Sequence, residues 1–327
     1  MNSNMNNTKL KAVILDEESF NPGDLDLSRL IALLDNWQRY PATKPEQREQ
    51  RLAGKQIAIA NKVIFDAPLL KKLPELKVIL LTATGMDNVD REYCQAHGIA
   101  TYNVTDYCTA SVSQHVFALI LALKTQLLPY QKMTRNGDWS RSGQFSSLAH
   151  PISELAGKTL GLIGYGSLAK GVETLAKAFG MKILIAQRTG DSKASDGRLL
   201  LHDLLPEVDV LSIHCPLTPE TKNLISSREF ELMKRNAIII NTARGAIIDK
   251  LALATALKNQ EIAGAGLDVL DQEPPPLNHP LLNENIPNLI LTPHIAWAAL
   301  EARQRVIDKV TENLQHWLKE VAYTSTV

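Results

Sequence analysis

The sequence is poor in cysteine, has no excess charge of either sign and contains no long apolar run. Its 327 residues include three cysteines, 35 Lys and Arg, and 35 Asp and Glu. The cysteines lack the spacing of a metal site and cannot all pair with one another, so we expect reduced thiols and no bound metal. The balanced charge argues against nucleic acid or an anionic membrane surface as the partner.

No segment has the pattern of a membrane span or of a signal peptide. The longest apolar run, residues 116–123, is far shorter than the roughly 20 residues that cross a bilayer. The N-terminal MNSNMNNTKL is polar and lacks the apolar centre of a signal peptide. We therefore expect a cytoplasmic protein with no membrane partner.

What the sequence does contain is an alternation of strand-like and helical segments. Hydrophobic residues make up 45% of the chain, enough for two cores, and the alternation restarts near Lys158. Such a βαβ pattern predicts α/β units, each with a parallel sheet covered by helices. We place the boundary near residue 104 and predict a loop between the units at residues 136–147. The predicted strands are residues 11–15, 56–60, 77–81, 99–103, 159–163, 182–186, 209–214, 237–241, 264–269 and 288–291.

Four helix predictions rest on periodicity and capping residues. A long helix is expected over residues 111–128, and an amphipathic one over residues 298–319. Ser226 and Glu229 have the spacing of a capping box, and Asp249 is expected to cap a helix that runs to Asn259.

The stretch GLIGYGSLAKG (161–171) has the pattern of a dinucleotide-binding turn. A buried-type strand precedes it and a helical pattern follows it. Gly164 permits the tight turn, Gly166 lets the backbone approach a pyrophosphate, and Ala169 is small enough for close packing of helix and strand. The free N–H groups at the helix start favour phosphate.

The end of the following strand leaves the choice of dinucleotide open. An acid there accepts from the ribose 2′-hydroxyl of NAD, whereas an arginine suits the 2′-phosphate of NADP. This chain has Gln187 and Arg188. Gln187 is not the acid that favours NAD, and its neutral amide does not repel the phosphate of NADP. Arg188 could bind that phosphate, but it is equally consistent with a solvated surface cation.

Three later segments each end or follow a predicted strand, the place where ligands gather in open α/β sheets. INTARGAIID (240–249), GLDVLDQEPP (266–275) and LTPHIAW (291–297) supply Arg244, Asp268, Glu273 and His294. Arginine can hold a carboxylate with its fork of donors. Histidine can exchange a proton with a carbonyl oxygen, and glutamate can orient its ring. Together they predict a site for hydride transfer.

With these segments, the sequence resembles the D-isomer-specific 2-hydroxyacid dehydrogenase family along essentially its whole length. It is most similar to the glycerate dehydrogenase (hydroxypyruvate reductase) branch. The motifs that carry the resemblance are the turn at 164–169, HCPLTPETKNLI (214–225), MKRNAIIINTARGAIID (233–249), the Glu273 loop and TPHIAW (292–297).

The resemblance implies two Rossmann-like, doubly wound parallel-sheet domains with a cleft between them. The substrate-binding domain would be residues 1–104 completed by 295–327, and the dinucleotide-binding domain 105–294. Arg244, Glu273 and His294 match the catalytic positions. The substrate would contact the loop TATGMDNVD (82–90) through the amides of Thr84 and Gly85, and also Arg244, His294 and Trp297. The positions that match the cofactor site are Gly164, Gly166, Ser167, Leu168, Gln187, Arg188, Cys215, Pro216, Thr242, Ala243, Arg244, Asp268 and His294.

The expected activity is NAD(P)-dependent reduction of a small 2-keto acid, hydroxypyruvate or glyoxylate, to D-glycerate or glycolate. Trp297 is expected to narrow the pocket, or else only to pack beside the hinge. The branch resemblance favours NAD, and Gln187 keeps NADP open. The family often has Glu-His where this chain has Gln114-His115, from which we draw no functional conclusion.

Two other functions are compatible with the residues. One is a phosphoglycerate dehydrogenase, although members with that role often carry a regulatory domain for which we expect no room after the last helix. The other is a regulator that uses a dehydrogenase-like fold to sense nucleotides, which the intact Arg244, Glu273 and His294 disfavour. Family resemblance also suggests a homodimer, with the Trp139 loop and the long helix from Ser111 as candidate contacts.

Overall fold

A computed structural model of the protein describes residues 10–191, 193–195, 197–282 and 286–324. It divides into two compact units. The first consists of Met1–Cys108 and Ala298–Val327, and the second of Thr109–Trp297. Residues 136–147 lie inside the second unit and include a short helix, so the prediction that they link the units was wrong. Two glycines in the left-handed conformation, Gly137 (φ 75°) and Gly143 (φ 66°), flank this helix. Because glycine is common in turns, their presence suggested a loop in the sequence.

The described residues form eleven strands and twelve α-helices. The strands are β1 Ala12–Ile14, β2 Trp37–Arg39, β3 Ile57–Ala60, β4 Val78–Leu81, β5 Ala100–Tyr102, β6 Thr159–Ile163, β7 Lys182–Ile185, β8 Val210–Ile213, β9 Ile238–Asn241, β10 Gly264–Leu267 and β11 Leu289–Leu291. The helices are α1 Ser28–Ile31, α2 Arg48–Leu52, α3 Ala67–Leu70, α4 Arg91–Ala96, α5 Thr109–Lys124, α6 Leu127–Arg135, α7 Asp138–Ser142, α8 Ser167–Ala178, α9 Leu201–Leu204, α10 Ser227–Leu232, α11 Lys250–Lys258 and α12 Leu300–Thr324.

The first unit has a five-stranded parallel sheet in the order β2-β1-β3-β4-β5. Every residue of β1, β3 and β4 is buried, as expected for parallel strands with both faces covered. The sequence did not predict β2, because this edge strand is short and carries the polar Gln38 and Arg39. The chain returns to this unit through α12, whose Arg303 makes a two-pronged ion pair with Asp24 (2.6 and 2.7 Å).

The second unit has a six-stranded parallel sheet in the order β7-β6-β8-β9-β10-β11. The chain leaves β6 for β7 on one side and then crosses back to β8 on the other. Neighbouring strands are in register, since Asn241 of β9 pairs with Leu267 of β10, which pairs with Leu291 of β11. All the carboxyl ends therefore meet at one edge, with a topological switch point between β6 and β8 where ligands of such sheets bind. The two sheets confirm the predicted fold class, two parallel-sheet α/β domains.

The helix predictions hold in part. Ser226 and Glu229 form the capping box of α10, and the Asp249 carboxylate accepts hydrogen bonds from two amides at the start of α11. The long helix predicted over residues 111–128 was wrong at its end. Gln126 adopts a left-handed conformation (φ 54°), which ends α5 and begins α6 in a new direction.

Helices α5 and α8 pack closely within the second unit. A Cβ added to Gly171 of α8 would lie 2.4 Å from Ser113 Oγ and 2.8 Å from Thr109 Cγ2 of α5. Only glycine allows this approach, which explains a residue that is unfavourable in a helix. Within the described ranges, no single helix is long and apolar enough to cross a membrane. The pair α5 and α6, bent by 60° at its break, passes that test of length and composition together.

Candidate functional site

The glycine turn after β6 requires glycine at its first position. Gly164 has φ +82°, and a Cβ on it would lie 2.6 Å from the backbone nitrogen of Cys215 and 2.7 Å from the carbonyl carbon of His214. Both the left-handed conformation and the contact with the segment after β8 exclude a side chain. Gly164 therefore holds the turn against the next strand, at the switch point of the sheet.

Gly166 is glycine for a different reason. Its backbone is extended (φ −92°, ψ −166°), a conformation open to any residue, and no heavy atom lies within 4 Å of an added Cβ. The space beside it is thus open, and α8 begins at the next residue. The amides of Ser167 and Leu168 are the first of that helix and have no earlier carbonyl to bond. An open backbone cradle at a helix N-terminus fits a pyrophosphate group.

The third small residue, Ala169, is fully buried where α8 crosses the sheet. Opposite the turn, His214, Cys215 and Pro216 follow β8. Burial lowers the pKa of His214 to about 4, and its Nε2 lies 2.9 Å from Ser212 Oγ. Burial also raises the pKa of the Cys215 thiol to about 11. Both groups are neutral at physiological pH, so the segment after β8 can contact a bound molecule but contributes no charged side chain at these two positions.

An open pocket of about 300 Å³ lies at the end of β7 and includes Gln187 and Arg188 in its lining. The side chain of Gln187 is engaged by its own loop. Its Nε2 donates to Asp191 Oδ2 (2.6 Å), and its Oε1 accepts from the amide (3.1 Å) and hydroxyl (2.9 Å) of Ser195. Arg188 is exposed. Asp191 also lines the pocket, although no sequence motif singled it out.

The Arg244 turn follows β9 and is built by Asn241. The Asn241 side chain accepts from the Ala243 amide and donates to the Arg244 carbonyl, both at 2.9 Å. Thr242 and Ala243 occupy the turn, and Arg244 Nη1 donates to the Ala243 carbonyl (2.8 Å). These bonds fix the backbone from which the Arg244 guanidinium projects.

Gly245 brings this turn directly against the loop after β10. A Cβ at Gly245 would lie 2.0 Å from the carbonyl carbon of Leu270 and 2.3 Å from the nitrogen of Asp271. Such distances leave no room for any side chain. The backbone that carries Arg244 is therefore in contact with the loop that carries Glu273, three residues beyond Leu270.

Glu273 and His294 form the pair that the sequence predicted. His294 Nδ1 lies 2.6 Å from Glu273 Oε2, and Glu273 Oε1 accepts from the Leu270 amide (2.9 Å). Because an ionised carboxylate only accepts, Nδ1 carries the proton on this contact. His294 Nε2 has no hydrogen-bond partner within the described residues, so it is the nitrogen that can exchange a proton with a bound molecule.

The loop that carries His294 is held by Asp268, which is 1% exposed. One carboxylate oxygen accepts from the Ile295 amide (2.9 Å) and the Thr292 hydroxyl (2.5 Å), and the other from the Ala296 amide (2.8 Å). His294, which has the unusual φ of 56°, donates its amide to the Asp268 carbonyl (2.8 Å). The strained histidine is thus fixed from both sides. Sequence reasoning assigned Asp268 only to the cofactor and missed this function.

His115 of α5 extends this network. Its Nε2 lies 3.0 Å from Thr292 Oγ1 and 3.5 Å from Asp268 Oδ1. The sequence showed a histidine at this family position but gave no sign of its partners, which lie more than 150 residues away along the chain.

The remaining predicted residues lie in two places. Trp297 ends the His294 loop, and its indole N–H donates to the His294 carbonyl (2.9 Å). In the first unit, Thr84 and Gly85 follow β4, and the Thr84 hydroxyl donates to the Val104 carbonyl (2.8 Å). Neither the Thr84 nor the Gly85 amide donates a hydrogen bond within the described residues. Two adjacent amides of this kind suit a carboxylate.

Within the second unit, the glycine turn, the Arg244 turn and the Glu273–His294 pair all follow strands of one sheet at one edge. The arrangement combines a cradle for pyrophosphate, a guanidinium, and an imidazole oriented by a carboxylate. It can hold a dinucleotide and move a proton at a neighbouring oxygen. In the described part of the chain, no group of three or more His, Cys, Asp or Glu side chains is placed to hold a metal ion.

Comparisons with known proteins point the same way. Residues 117–296 match the family described as D-isomer specific 2-hydroxyacid dehydrogenase, NAD binding domain. The chain is 43% identical over 307 residues to a glycerate dehydrogenase of Methylorubrum extorquens, an alignment that covers 93% of this chain and 95% of that one.

Two solved structures are similar over nearly the whole chain. One is a D-lactate dehydrogenase from Aquifex aeolicus in complex with NAD and lactic acid (27% identity, TM-score 0.78, covering 95% of this chain and 96% of that one). The other is an NADPH-dependent glyoxylate/hydroxypyruvate reductase from Sinorhizobium meliloti in complex with NADP and malonate (27% identity, TM-score 0.77, 95% and 94%). The resemblance seen in the sequence motifs is thereby confirmed.

Proposed function

The chain belongs to the D-isomer-specific 2-hydroxyacid dehydrogenase family, and from this premise we propose that it reduces a small 2-keto acid with NADH or NADPH. The substrate is hydroxypyruvate or glyoxylate, and the product is D-glycerate or glycolate. The observation that carries the proposal is the contact of 2.6 Å between His294 Nδ1 and Glu273 Oε2. It leaves Nε2 as the nitrogen that can exchange a proton with a bound molecule, in a unit that contains the family's NAD-binding domain.

In this mechanism His294 is the general acid. Nε2 gives its proton to the ketone oxygen during reduction and takes it back in the reverse direction. Glu273 accepts from Nδ1 and keeps the ring in one orientation. Asp268 acts through the loop, because its carboxylate accepts from the Thr292 hydroxyl before His294 and from the Ile295 and Ala296 amides after it.

Arg244 holds the substrate by its carboxylate and reacting oxygen, since a guanidinium offers paired donors in a fixed plane. In the first unit, the amides of Thr84 and Gly85, which donate no hydrogen bond within the described residues, are our proposed site for a carboxylate. Trp297 limits the length of the substrate side chain, a role supported by its bond to the His294 carbonyl. When bound, a nicotinamide cofactor would supply or accept the hydride. Gly164, Gly166, Ser167 and Leu168 would hold its pyrophosphate.

The direct test replaces His294 with glutamine. Turnover with hydroxypyruvate or glyoxylate should fall by about 10²–10⁴-fold, the usual contribution of acid–base catalysis, while cofactor affinity is retained. The matched control is His316→Gln, because His316 also contacts a glutamate (Glu320, 3.1 Å) but lies on the exposed surface of α12. Turnover of His294→Gln close to that of the wild type would refute the assignment.

Substrate choice is tested by a two-by-two comparison of hydroxypyruvate and glyoxylate, each with NADH and NADPH. A series of 2-keto acids of increasing length should show kcat/KM falling with length, and falling less steeply in Trp297→Ala. A flat profile in the wild type would remove the role of Trp297. If no small keto acid oxidises either reduced cofactor, a nucleotide-sensing regulator becomes the better reading.

The same proposal includes a homodimer assembled through the second unit. Support comes from exposed apolar side chains between α7 and β6, with Phe145 96% and Leu148 90% exposed. An open groove of about 670 Å³ lies along α6 and β11 and could receive such residues from a second copy. Light scattering should give the mass of a dimer for the wild type and of a monomer for Phe145→Ser/Leu148→Ser. A monomeric wild type would refute the dimer.

A cytoplasmic location completes the proposal. It is supported by the cysteines Cys94, Cys108 and Cys215, all of which are free thiols in the structure. Cell fractionation should recover the protein with cytoplasmic markers. Recovery with membranes or in an oxidising compartment would contradict it.

A further inference from the structure

In folds of this kind, the side chain at the end of the second strand normally discriminates between NAD and NADP. Gln187 stands at that position, but its side-chain amide is already bonded within its own loop. Its Nε2, the donor that could bond a 2′-phosphate, is given to Asp191 Oδ2 at 2.6 Å. Its Oε1, the acceptor that could bond a 2′-hydroxyl, already accepts from the amide and the hydroxyl of Ser195. The amide side chain therefore serves to fold the loop that follows it.

The result of this folding is a carboxylate in the pocket. Asp191 lines the same open space as Gln187 and Arg188. It is exposed, and its Oδ2 is fixed by the bond from Gln187. The acid that is missing from the strand end is thus supplied four residues later, and Gln187 positions it.

The positive charge of Arg188 acts in the opposite direction, because it would attract a phosphate. It has an acidic neighbour, however. The pKa of Glu220 is lowered by a hydrogen bond from the Thr218 side chain and, to a smaller extent, by the charge of Arg188. Arg188 is therefore partly compensated by Glu220, whereas the carboxylate of Asp191 is held by a neutral amide.

We propose that Asp191 selects the cofactor: its carboxylate accepts from the ribose 2′-hydroxyl of NAD and repels the 2′-phosphate of NADP, so that the protein prefers NAD. This inference rests on the proposed function, since it concerns the dinucleotide used in the same site. It assigns the discrimination to a residue outside the strand end and gives Gln187 a positioning role.

The test measures binding as well as turnover. Dissociation constants for NADH and NADPH are determined by fluorescence titration of the wild type, Asp191→Asn and Asp203→Asn. We expect the wild type to bind NADH at least about tenfold more tightly than NADPH. In Asp191→Asn the preference should shrink by about tenfold, through tighter binding of NADPH. The asparagine oxygen can still accept from Gln187, so the loop is preserved.

Asp203→Asn is the matched control. Asp203 is an exposed acid of α9, next to the pocket residue His202, and it does not contact Gln187. Removing its charge should leave the ratio of the two constants within about twofold of the wild type, which distinguishes a specific effect from a general change in charge.

Three results would overturn the proposal: a wild type that prefers NADPH, an unchanged ratio in Asp191→Asn, or an equal loss of both cofactors in that variant. Failure of the proposed function looks different. There the wild type binds NADH selectively and Asp191→Asn relaxes the selectivity, but no 2-keto acid is reduced. A wild type that binds neither cofactor would overturn both.

Discussion

Alanine substitutions at the two glycines of the turn after β6 should have separable effects. Gly164→Ala should destabilise the second unit. Gly166→Ala should leave its stability unchanged and weaken cofactor binding. The difference follows from the structure. Gly164 is required by the conformation and packing of the turn, whereas Gly166 leaves open the space in which we expect the pyrophosphate to bind.

The cost at Gly164 has two parts. Its φ of +82° lies in the left-handed region, where a side chain costs about 1–2 kcal/mol. A methyl group 2.6 Å from the Cys215 nitrogen and 2.7 Å from the His214 carbonyl carbon adds an overpacking cost of about 1–3 kcal/mol. The expected loss of unfolding free energy is therefore about 2–5 kcal/mol, or roughly 4–20 °C in Tm for a unit of this size.

Neither part applies to Gly166. Its backbone is extended and no atom lies within 4 Å of the added methyl, so the unfolding free energy should change by less than about 0.5 kcal/mol. The methyl does, however, occupy the space through which the backbone would contact a pyrophosphate. An overpacked contact of about 1–3 kcal/mol corresponds to a Kd for NADH raised roughly 5- to 150-fold.

Urea unfolding and NADH titration of the wild type and both variants check these numbers. The reasoning fails if Gly166→Ala binds NADH as tightly as the wild type, because the cradle would then not be the phosphate site. It also fails if Gly166→Ala is as unstable as Gly164→Ala, since the space beside Gly166 would then not be open.

Three further predictions concern the same edge of the sheet. Gly245→Ala would place a methyl 2.0 Å from the Leu270 carbonyl carbon, so both Tm and kcat should fall; a variant with wild-type values would show that the two loops are not in contact. Burial lowers the pKa of His214 from 6.5 to about 4, so the unfolded chain binds more protons; stability is complete above pH 6.5 and is lost as the pH falls towards 4, by at most roughly 3 kcal/mol. Urea unfolding at pH 7 and pH 5 should show this loss in the wild type and not in His214→Gln, and equal loss in both would contradict it. Burial raises the pKa of Cys215 to about 11, so iodoacetamide should label it slowly at pH 7.5 and Cys215→Ala should retain turnover within about twofold; rapid labelling would disprove the raised pKa.

Much of the fold could be predicted because parallel strands buried on both faces have a continuous apolar pattern. The prediction for β6, residues 159–163, matches the observed strand, and those for β8, β9 and β10 differ by one or two residues at their ends. Local capping chemistry was likewise readable, as at Ser226 and Asp249. The short edge strand β2 and the break after α5 were missed, because neither has a periodic apolar pattern.

The candidate site was predictable to the same degree. Arg244, Glu273 and His294 could be chosen because each follows a strand and has a side chain suited to acid–base or anion chemistry. Their roles in catalysis stay predictions, but the contact between Glu273 and His294 is present in the structure.

By itself, then, the sequence determined most of the strands, the glycine turn and the choice of candidate side chains, since these depend on local pattern and residue chemistry. Only the tertiary structure decided what each side chain touches. It showed that the Asp268 carboxylate accepts hydrogen bonds from the His294 loop and that Gly245 packs against the Glu273 loop. It also showed that the side-chain amide of Gln187 donates to Asp191. Most of these contacts join segments that lie far apart along the chain, and all of them depend on distances set by the register of the sheet and the folding of its loops.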